Sequence, residues 1–307
     1  MRTPSRLLIT NNNVHGYVGD FTAVAPNKAI ILSGGGIDSF MSTMMYLEAL
    51  KLYDEDDELN GEVRLIFMCV NYGQQSFPTE LAMTDAQAAF FQTVYKLPNR
   101  KINTEVVIIT DNLMELIRNP LSNRDEQKQA TDVEQKAYKE NDDYVPNRNA
   151  RFVFTAAGYA ESVKGVDTII IGAVGNVNQD NSLAFLEAAH ATIMQSNRDC
   201  FPGLYAPFVL MSKSMVAWAA AELFPIDKYT PVRIDNLTTS CFDASEICND
   251  YGMSVVIQCG ECRSCSSLKQ AFKFANVTDP YTYKGSRPKS AKSKFKLNAK
   301  RGKTEAI

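Results

Sequence analysis

The sequence has 307 residues, 45% of them hydrophobic and 22% charged, with 32 Lys and Arg against 35 Asp and Glu for a net charge of −3. These proportions describe an ordinary folded globular chain and exclude a wholly disordered or uniformly basic one. No apolar run approaches the ~20 residues of a membrane span, so no membrane partner is expected. The opening residues, MRTPSRLLITNNNVHGY, lack the long apolar core of a secretory signal, and the expected compartment is the cytoplasm. Seven cysteines in that compartment point to metal or reactive thiols before disulfides. A chain of this size buries one substantial core and a smaller module.

Residues 1–27 read as an N-terminal extension. The first clear element is the apolar run Ala29 to Leu32, of the kind a buried parallel strand shows. Ser33, Gly34, Gly35 and Gly36 follow, and then Phe40, Met44, Met45 and Leu47 recur at the spacing of an amphipathic helix that starts near Ile37 or Asp38. Glycines there let a ligand approach the main chain. The first amide groups of the helix would face the turn and favour an anion. No Gly-Lys-Ser/Thr follows, so the turn is not a Walker A loop, and the Gly-x-Gly-x-x-Gly spacing of a dinucleotide fold is absent.

An acidic loop, YDEDDELNGE, leads to a second buried strand, Val63 to Gly73, and to a helix over residues 79–97. Thr104 to Thr110 reads as a third strand. Residues 111–143 are polar and read as a surface excursion that could cover a site. A helix over 149–165 precedes a fourth strand in VDTIIIGAV, and two more helices run from Ser182 to Met194 and from Ser212 to Leu223. Strands alternating with helices predict an α/β fold with a parallel, Rossmann-like sheet over residues 28–237. No internal repeat is visible.

Near Thr238 the composition changes. Cys259-Gly-Glu-Cys262-Arg-Ser-Cys265 is two overlapping Cys-x-x-Cys hooks, whose thiolates can grip one tetrahedral ion. A closed structural zinc site needs a fourth ligand, which Cys241 or Cys248 must supply. With four thiolates the metal has no open position, so its role is structural in a small zinc module over residues 238–283. Between Lys284 and Lys303 stand nine Lys or Arg, and residues 284–307 read as a mobile basic tail, either a solubilising extension or an attractor of nucleic acid.

The glycine turn SGGGIDS and the later SC…CGECRSC together resemble the QueC family of the PP-loop ATP pyrophosphatase superfamily. The likeness runs over most of residues 28–275. Tyr72, Gly73, Gln74 and downstream Glu80 resemble the family's Tyr-Gly-Gln segment and its glutamate. Tyr144, Pro146, Arg148 and Asn149 resemble its Tyr-Val-Pro-x-Arg-Asn, and APFVLMSKSMV resembles the stretch whose lysine matches Lys213. The family's Ser-Cys context favours Cys241 as the fourth metal ligand, with Cys248 spare.

The resemblance implies an ATP-dependent carbon–nitrogen ligase that converts 7-carboxy-7-deazaguanine and ammonia to 7-cyano-7-deazaguanine through an acyl-adenylate and an amide. It implies an ATP site over Leu32, Ser33, Gly34, Gly35, Gly36, Ile37, Asp38, Ser39, Arg148 and Asn149, with Asp38 orienting the turn or a magnesium ion. Asp38, Ser39, Arg148 and Lys213 would be catalytic. Tyr72, Gln74, Asp180, Phe185 and Lys213 would bind the deazaguanine acid. The family's substrate segment ends in Asp-Cys-Arg-Pro-Glu-Phe, and its counterpart here is DNSLAF, with Ser182 and Ala184 at the places of the arginine and the glutamate. Joining of the acid to a protein or another amine, a tRNA-modifying activity with RNA on the basic tail, and a non-catalytic nucleotide-binding module are the competing readings. A homodimer stays open.

Overall fold

The computed structural model describes residues 9–10, 13–14, 17–18, 27–53, 61–98, 100–111, 145, 147–175, 179–225, 233–244, 246–250 and 253–284. Of the expected surface excursion only Asp111 is among them; residues 112–143 and the basic tail beyond Lys284 lie outside.

Three two-residue strands come first: β1 (Ile9–Thr10), β2 (Asn13–Val14) and β3 (Tyr17–Val18). The central sheet then adds β4 (Lys28–Leu32), β5 (Gly61–Asn71), β6 (Arg100–Thr110), β7 (Thr168–Ile171) and β8 (Gly203–Tyr205) in the spatial order β3-β8-β7-β4-β5-β6. The last five are parallel, and β3 lies antiparallel on the β8 edge. Parallel neighbours need crossovers. These are the helices α1 (Ile37–Tyr53), α2 (Phe77–Thr93), α3 (Arg148–Val163) and α4 (Leu183–Ser196). From β4 the chain winds one way through β5 and β6, then returns to β4's other side for β7 and β8. The switch point therefore falls between β4 and β7, where open α/β sheets bind ligands beyond the strand ends.

Alternation along the strands feeds two cores. Ala29 and Ile31 join Phe40, Met44, Leu47, Phe91, Val216 and Phe272 on one face. Ile30, Ile66 and Ile169 join Val153, Ala156, Ala160, Leu186 and Ile193 on the other. Phe40 is fully buried, with ring centroids of Phe91, Phe224 and Phe90 at 5.3, 5.5 and 5.7 Å. Truncating such a ring to Ala costs about 3–5 kcal/mol.

The structure departs from the sequence reading in four places. Helix α1 is buried nearly all round instead of amphipathic, because α5 (Lys213–Leu223) packs on the side that would otherwise meet water and the later α6 (Arg263–Ala275) packs on α5 in the same apolar cluster. Strand β6 begins at Arg100, not Thr104: its polar start pairs in register with Gly61–Arg64 of β5. Strand β8, only three residues long, and the hairpin of β9 (Glu246–Asp250) with β10 (Met253–Ile257) were not expected. The C-terminal residues also share a core with the sheet, since Cys241, Cys265, Leu268, Phe272 and Tyr281 belong to the same apolar cluster as α1. No helix among the described residues is long and apolar enough to cross a membrane.

Candidate active site

Strand β4 hands directly into the glycine turn. Ser33 N–H donates to the Met68 carbonyl at 3.0 Å, which extends the β4–β5 ladder by one residue. Gly35 then takes φ +63°, and a Cβ there would lie 2.6 Å from the Glu80 carbonyl oxygen and 2.8 Å from Met83 Cβ. Only glycine satisfies both the backbone angle and that contact with α2. Phe40 N–H makes the first helical bond, to the Gly36 carbonyl at 3.3 Å, and the Ser39 hydroxyl donates to the same oxygen at 3.2 Å. The earlier amides of α1 have no partner within the helix, which makes its start an anion-binding end.

From the other side of the switch point comes Gly172, the first residue after β7. A Cβ on Gly172 would sit 2.7 Å from the Ser39 amide nitrogen. The strand end therefore packs against the helix start with no room for a side chain. Sequence patterning gave this glycine no special weight, and nothing local marks it.

The strand ends open into a cleft of about 340 Å³. Along the glycine turn it is lined by Leu32, Ser33, Gly34, Gly36, Asp38 and Ser39. Tyr72 and Gln74 come from the β5–α2 connection, Glu80 from the first turn of α2, Arg148, Asn149 and Phe152 from the start of α3, and Lys213 from the start of α5. Ser240, Cys241 and Phe242, with Thr239, close the remaining wall.

Several of these side chains are held by specific partners. Lys213 Nζ forms an ion pair with Asp38 Oδ2, while Asp38 Oδ1 is buried with no hydrogen-bond partner. The Ser33 hydroxyl is engaged below the turn, in a hydrogen bond with Thr84 Oγ1 at 2.9 Å, and it accepts the Gly35 N–H at 3.3 Å. Gln74 accepts the Tyr72 N–H at 2.9 Å and donates to the Val70 carbonyl and to Glu80 Oε2 at 3.0 and 2.9 Å. Burial raises the Glu80 pKa above the ordinary carboxylate value, against the opposing pull of hydrogen bonds from Ser76 and Gln74 and the charge of Arg148. Burial likewise raises the Tyr72 phenol, which Arg148 draws back down.

The structure brings together Leu32, Ser33, Gly34, Gly36, Asp38, Ser39, Tyr72, Gln74, Arg148, Asn149 and Lys213, as the sequence grouped them. Gly35 shapes the turn from behind, and Ile37 is fully buried in the core. Asp180 and Phe185 are not among the lining residues. Asp180 Oδ2 accepts the Asn149 N–H at 3.1 Å, and the Asn149 amide donates to the Asp180 carbonyl and to Asn181 Oδ1 at 3.3 and 3.2 Å. Asp180 thus caps the start of α3 from a different segment. Phe185 packs against the α3–α4 core, and Ser182 N-caps α4 by accepting the Phe185 N–H at 3.1 Å. His190, half-buried on α4, is not in the cleft lining. Tyr144 and Pro146 lie outside the described residues.

Cys241, Cys259, Cys262 and Cys265 converge beside the same cleft, their sulfurs all within 4.8 Å of one another. Four sulfurs about 2.3 Å from one tetrahedral ion lie about 3.8 Å apart. The Cys259 and Cys265 sulfurs are 3.9 Å apart. Backbone N–H groups already face them: Asp243 and Cys259 donate to Cys241 Sγ at 3.3 and 3.2 Å, and Glu261 and Cys262 to Cys259 Sγ at 3.4 and 3.3 Å. Cys265 N–H donates to Cys262 Sγ at 3.4 Å. Such donors stabilise thiolates, so this group could hold a metal ion. Cys241 completes the group of four, and the Cys248 side chain lies outside the described residues.

A doubly wound parallel sheet with a glycine turn at its switch point, a charged cleft there and a four-cysteine cluster together define a Rossmann-like α/β protein of the class that binds ligands beyond its strand ends. The chain belongs to the family of the queuosine biosynthesis protein QueC, whose model matches residues 28–276. It is similar to the 7-cyano-7-deazaguanine synthase of Methanobrevibacter smithii, with 28% identity over 83% of this chain and 97% of that protein. The enzymes of the same name from Methanosphaera stadtmanae and Halobacterium salinarum are 28% and 25% identical, over 83% and 85% of this chain and 98% and 97% of theirs.

Proposed function

We propose that this protein converts 7-carboxy-7-deazaguanine and ammonia to 7-cyano-7-deazaguanine at the expense of ATP. The observation that carries the reading is the convergence of the glycine turn, Asp38, Arg148 and Lys213 in one cleft, in a chain aligned along nearly the whole length of relatives named for that product.

A carboxylate is a poor electrophile, and adenylation supplies the leaving group it lacks. In this scheme the substrate carboxylate oxygen attacks the α-phosphorus of ATP, forming an acyl-adenylate and releasing pyrophosphate. Amides at the start of α1 hold phosphate oxygens, as helix starts do. Arg148 and Lys213 balance charge that grows on the phosphate and on the leaving group. Ammonia displaces AMP to give the amide. A second adenylation, at the amide oxygen, releases another pyrophosphate and allows loss of AMP and of both nitrogen protons to leave the nitrile. The buried Asp38 Oδ1 suits a hard cation, and Asp38 would hold a magnesium ion, which would screen the phosphate charge. The four cysteines would hold one structural zinc ion.

The acid end of the substrate has lost two family side chains, since Ser182 and Ala184 replace an arginine and a glutamate. Ser182 is occupied as a helix cap, and among the described residues lining the cleft the cations are Arg148 and Lys213. This departure favours a second reading, in which the activated acid is transferred to a different amine. Mass spectrometry of products from the carboxylated deazaguanine, ATP and ammonia tests both. Nitrile and amide are the expected products. Pyrophosphate release without either, restored by a protein or an organic amine, would move the assignment to the second reading.

A further inference from the structure

The nitrogen chemistry proposed above needs a base. Both of its stages remove protons from nitrogen, one when ammonia becomes an amide and two when the adenylated amide becomes a nitrile. Among the described residues lining the cleft the carboxylates are Asp38 and Glu80, and no histidine lines it. Asp38 is tied to the Lys213 ammonium. Glu80 has a different setting. Its Oε2 lies 3.8 Å from the place a Cβ on Gly34 would take, directly over the glycine turn. Its hydrogen bonds come from uncharged groups, the Ser76 hydroxyl at 2.5 Å and the Gln74 amide at 2.9 Å. Gln74 is itself fixed by the Val70 carbonyl and the Tyr72 N–H, so the carboxyl is held in one orientation.

We infer that Glu80 is the base that accepts protons from the substrate nitrogen in both stages, an inference that rests on the function proposed above. In the first stage the nitrogen lone pair forms the C–N bond, the C–O bond to AMP breaks with its electron pair on AMP, and a nitrogen proton passes to the Glu80 carboxylate. In the second stage adenylation of the amide oxygen leaves two acidic protons on nitrogen. One passes to the Glu80 carboxylate and on to solvent, which leaves the neutral imidate, and its remaining N–H bond then breaks toward Glu80. Its electron pair becomes the third C–N bond, and AMP departs with the C–O pair. Each proton then leaves to solvent through the open cleft. The desolvation that raises the Glu80 pKa suits this work, because a base is most effective when its pKa lies near the working pH.

The test starts from 7-carboxamido-7-deazaguanine and ATP, so that the titration of ammonia does not enter. Nitrile formation is followed against pH in the wild type and in Glu80→Gln, with ATP–pyrophosphate exchange measured on the same samples. The wild-type rate is expected to rise with pH through an ionisation above the ordinary glutamate range. In Glu80→Gln the ratio of nitrile formation to exchange should fall about a hundredfold or more, the usual scale of general base catalysis, and the ionisation should vanish. Glu80→Asp should restore part of the rate together with a shifted profile. Nitrile formation and exchange falling together would mean that Glu80 only shapes the turn, and this would overturn the inference. So would an unchanged rate and profile in Glu80→Gln. A wild-type chain that makes nitrile from neither acid nor amide would overturn the reaction assignment and the base with it.

Discussion

Thr239 donates its backbone N–H to the Gly35 carbonyl at 2.8 Å, which joins the glycine turn to the segment that ends in Cys241. Gln87 reinforces the junction from α2 by donating to the Leu237 carbonyl at 2.9 Å. The four-cysteine cluster and the glycine turn are therefore two ends of one short connection. Metal bound at the cysteines would hold residues 239–242, and those residues form a wall of the cleft.

Loss of a cysteine ligand should consequently weaken both stability and nucleotide binding. Cys262→Ser is expected to lose the metal and to lower the thermal midpoint by roughly 5–10 °C, the shift that a loss of a few kcal/mol gives in a chain of this size. ATP affinity should fall with it. Elemental analysis, thermal unfolding and calorimetric titration check this. Cys248→Ser should keep about one zinc per chain. Retention of metal in Cys241→Ser and its loss in Cys248→Ser would reverse the ligand assignment.

Gly172→Ala places a methyl group where 2.7 Å separates its carbon from the Ser39 amide nitrogen. The helix start must shift, at a cost of about 1–3 kcal/mol for an overpacked contact. ATP turnover should drop at least tenfold. A variant with wild-type KM for ATP would show that the helix start does not hold the phosphates.

The Asp38–Lys213 pair is partly exposed, with side-chain accessibilities of 27% and 25%. Its contribution to stability should be no more than about 1 kcal/mol. Its contribution to activity should be far larger. Asp38→Ala is expected to abolish pyrophosphate exchange while urea unfolding changes little, and Lys213→Ala should slow the adenylation step. Exchange near the wild-type rate in both variants would remove the pair from the chemistry.

Asp180 reaches the site through Asn149, so Asp180→Ala should act as the loss of a helix cap and cost about 0.5–2 kcal/mol. Because Arg148 and Asn149 line the cleft, affinity for ATP and for the deazaguanine acid should weaken together. Calorimetric titration of both ligands decides the matter. A loss confined to the deazaguanine would place the base directly on Asp180.

Far from the cleft, Asp167 anchors the opposite ends of β4 and β7. It accepts the Asn27 and Lys28 N–H groups at 2.7 and 2.9 Å, and burial pushes its pKa up to about 6 despite those bonds. A carboxyl raised on folding binds its proton more tightly in the folded state. Its stabilising contribution is complete below about pH 4 and is lost as pH rises through about 6. The wild-type unfolding free energy should therefore lose up to about 3 kcal/mol across that window, relative to Asp167→Asn. Urea unfolding of both proteins at pH 4, 5, 6 and 7 measures the difference. Parallel curves would show that Asp167 does not titrate on folding.

Much of this was legible along the chain. The turn from Leu32 to Ser39 and the Cys259-Gly-Glu-Cys262-Arg-Ser-Cys265 knuckle are local patterns, and their chemistry lies within a few residues. The alternation of apolar strands and helices announced the parallel sheet, because each element reports its own burial. Other features depend on which distant segments become neighbours. Gly172 matters because β7 lies beside β4, and that order is set by the whole crossover path. Lys213 meets Asp38 across 175 residues of sequence. The cysteine segment forms a wall of the cleft because α5 packs on α1, α6 packs on α5, and Thr239 bonds to the glycine turn. Asp180 became a cap for α3 instead of a residue of the cleft lining, because the loop after β7 runs against the start of that helix. Hydrophobic periodicity reports that a residue is buried, but the sheet order and the packing of the helices decide what it is buried against.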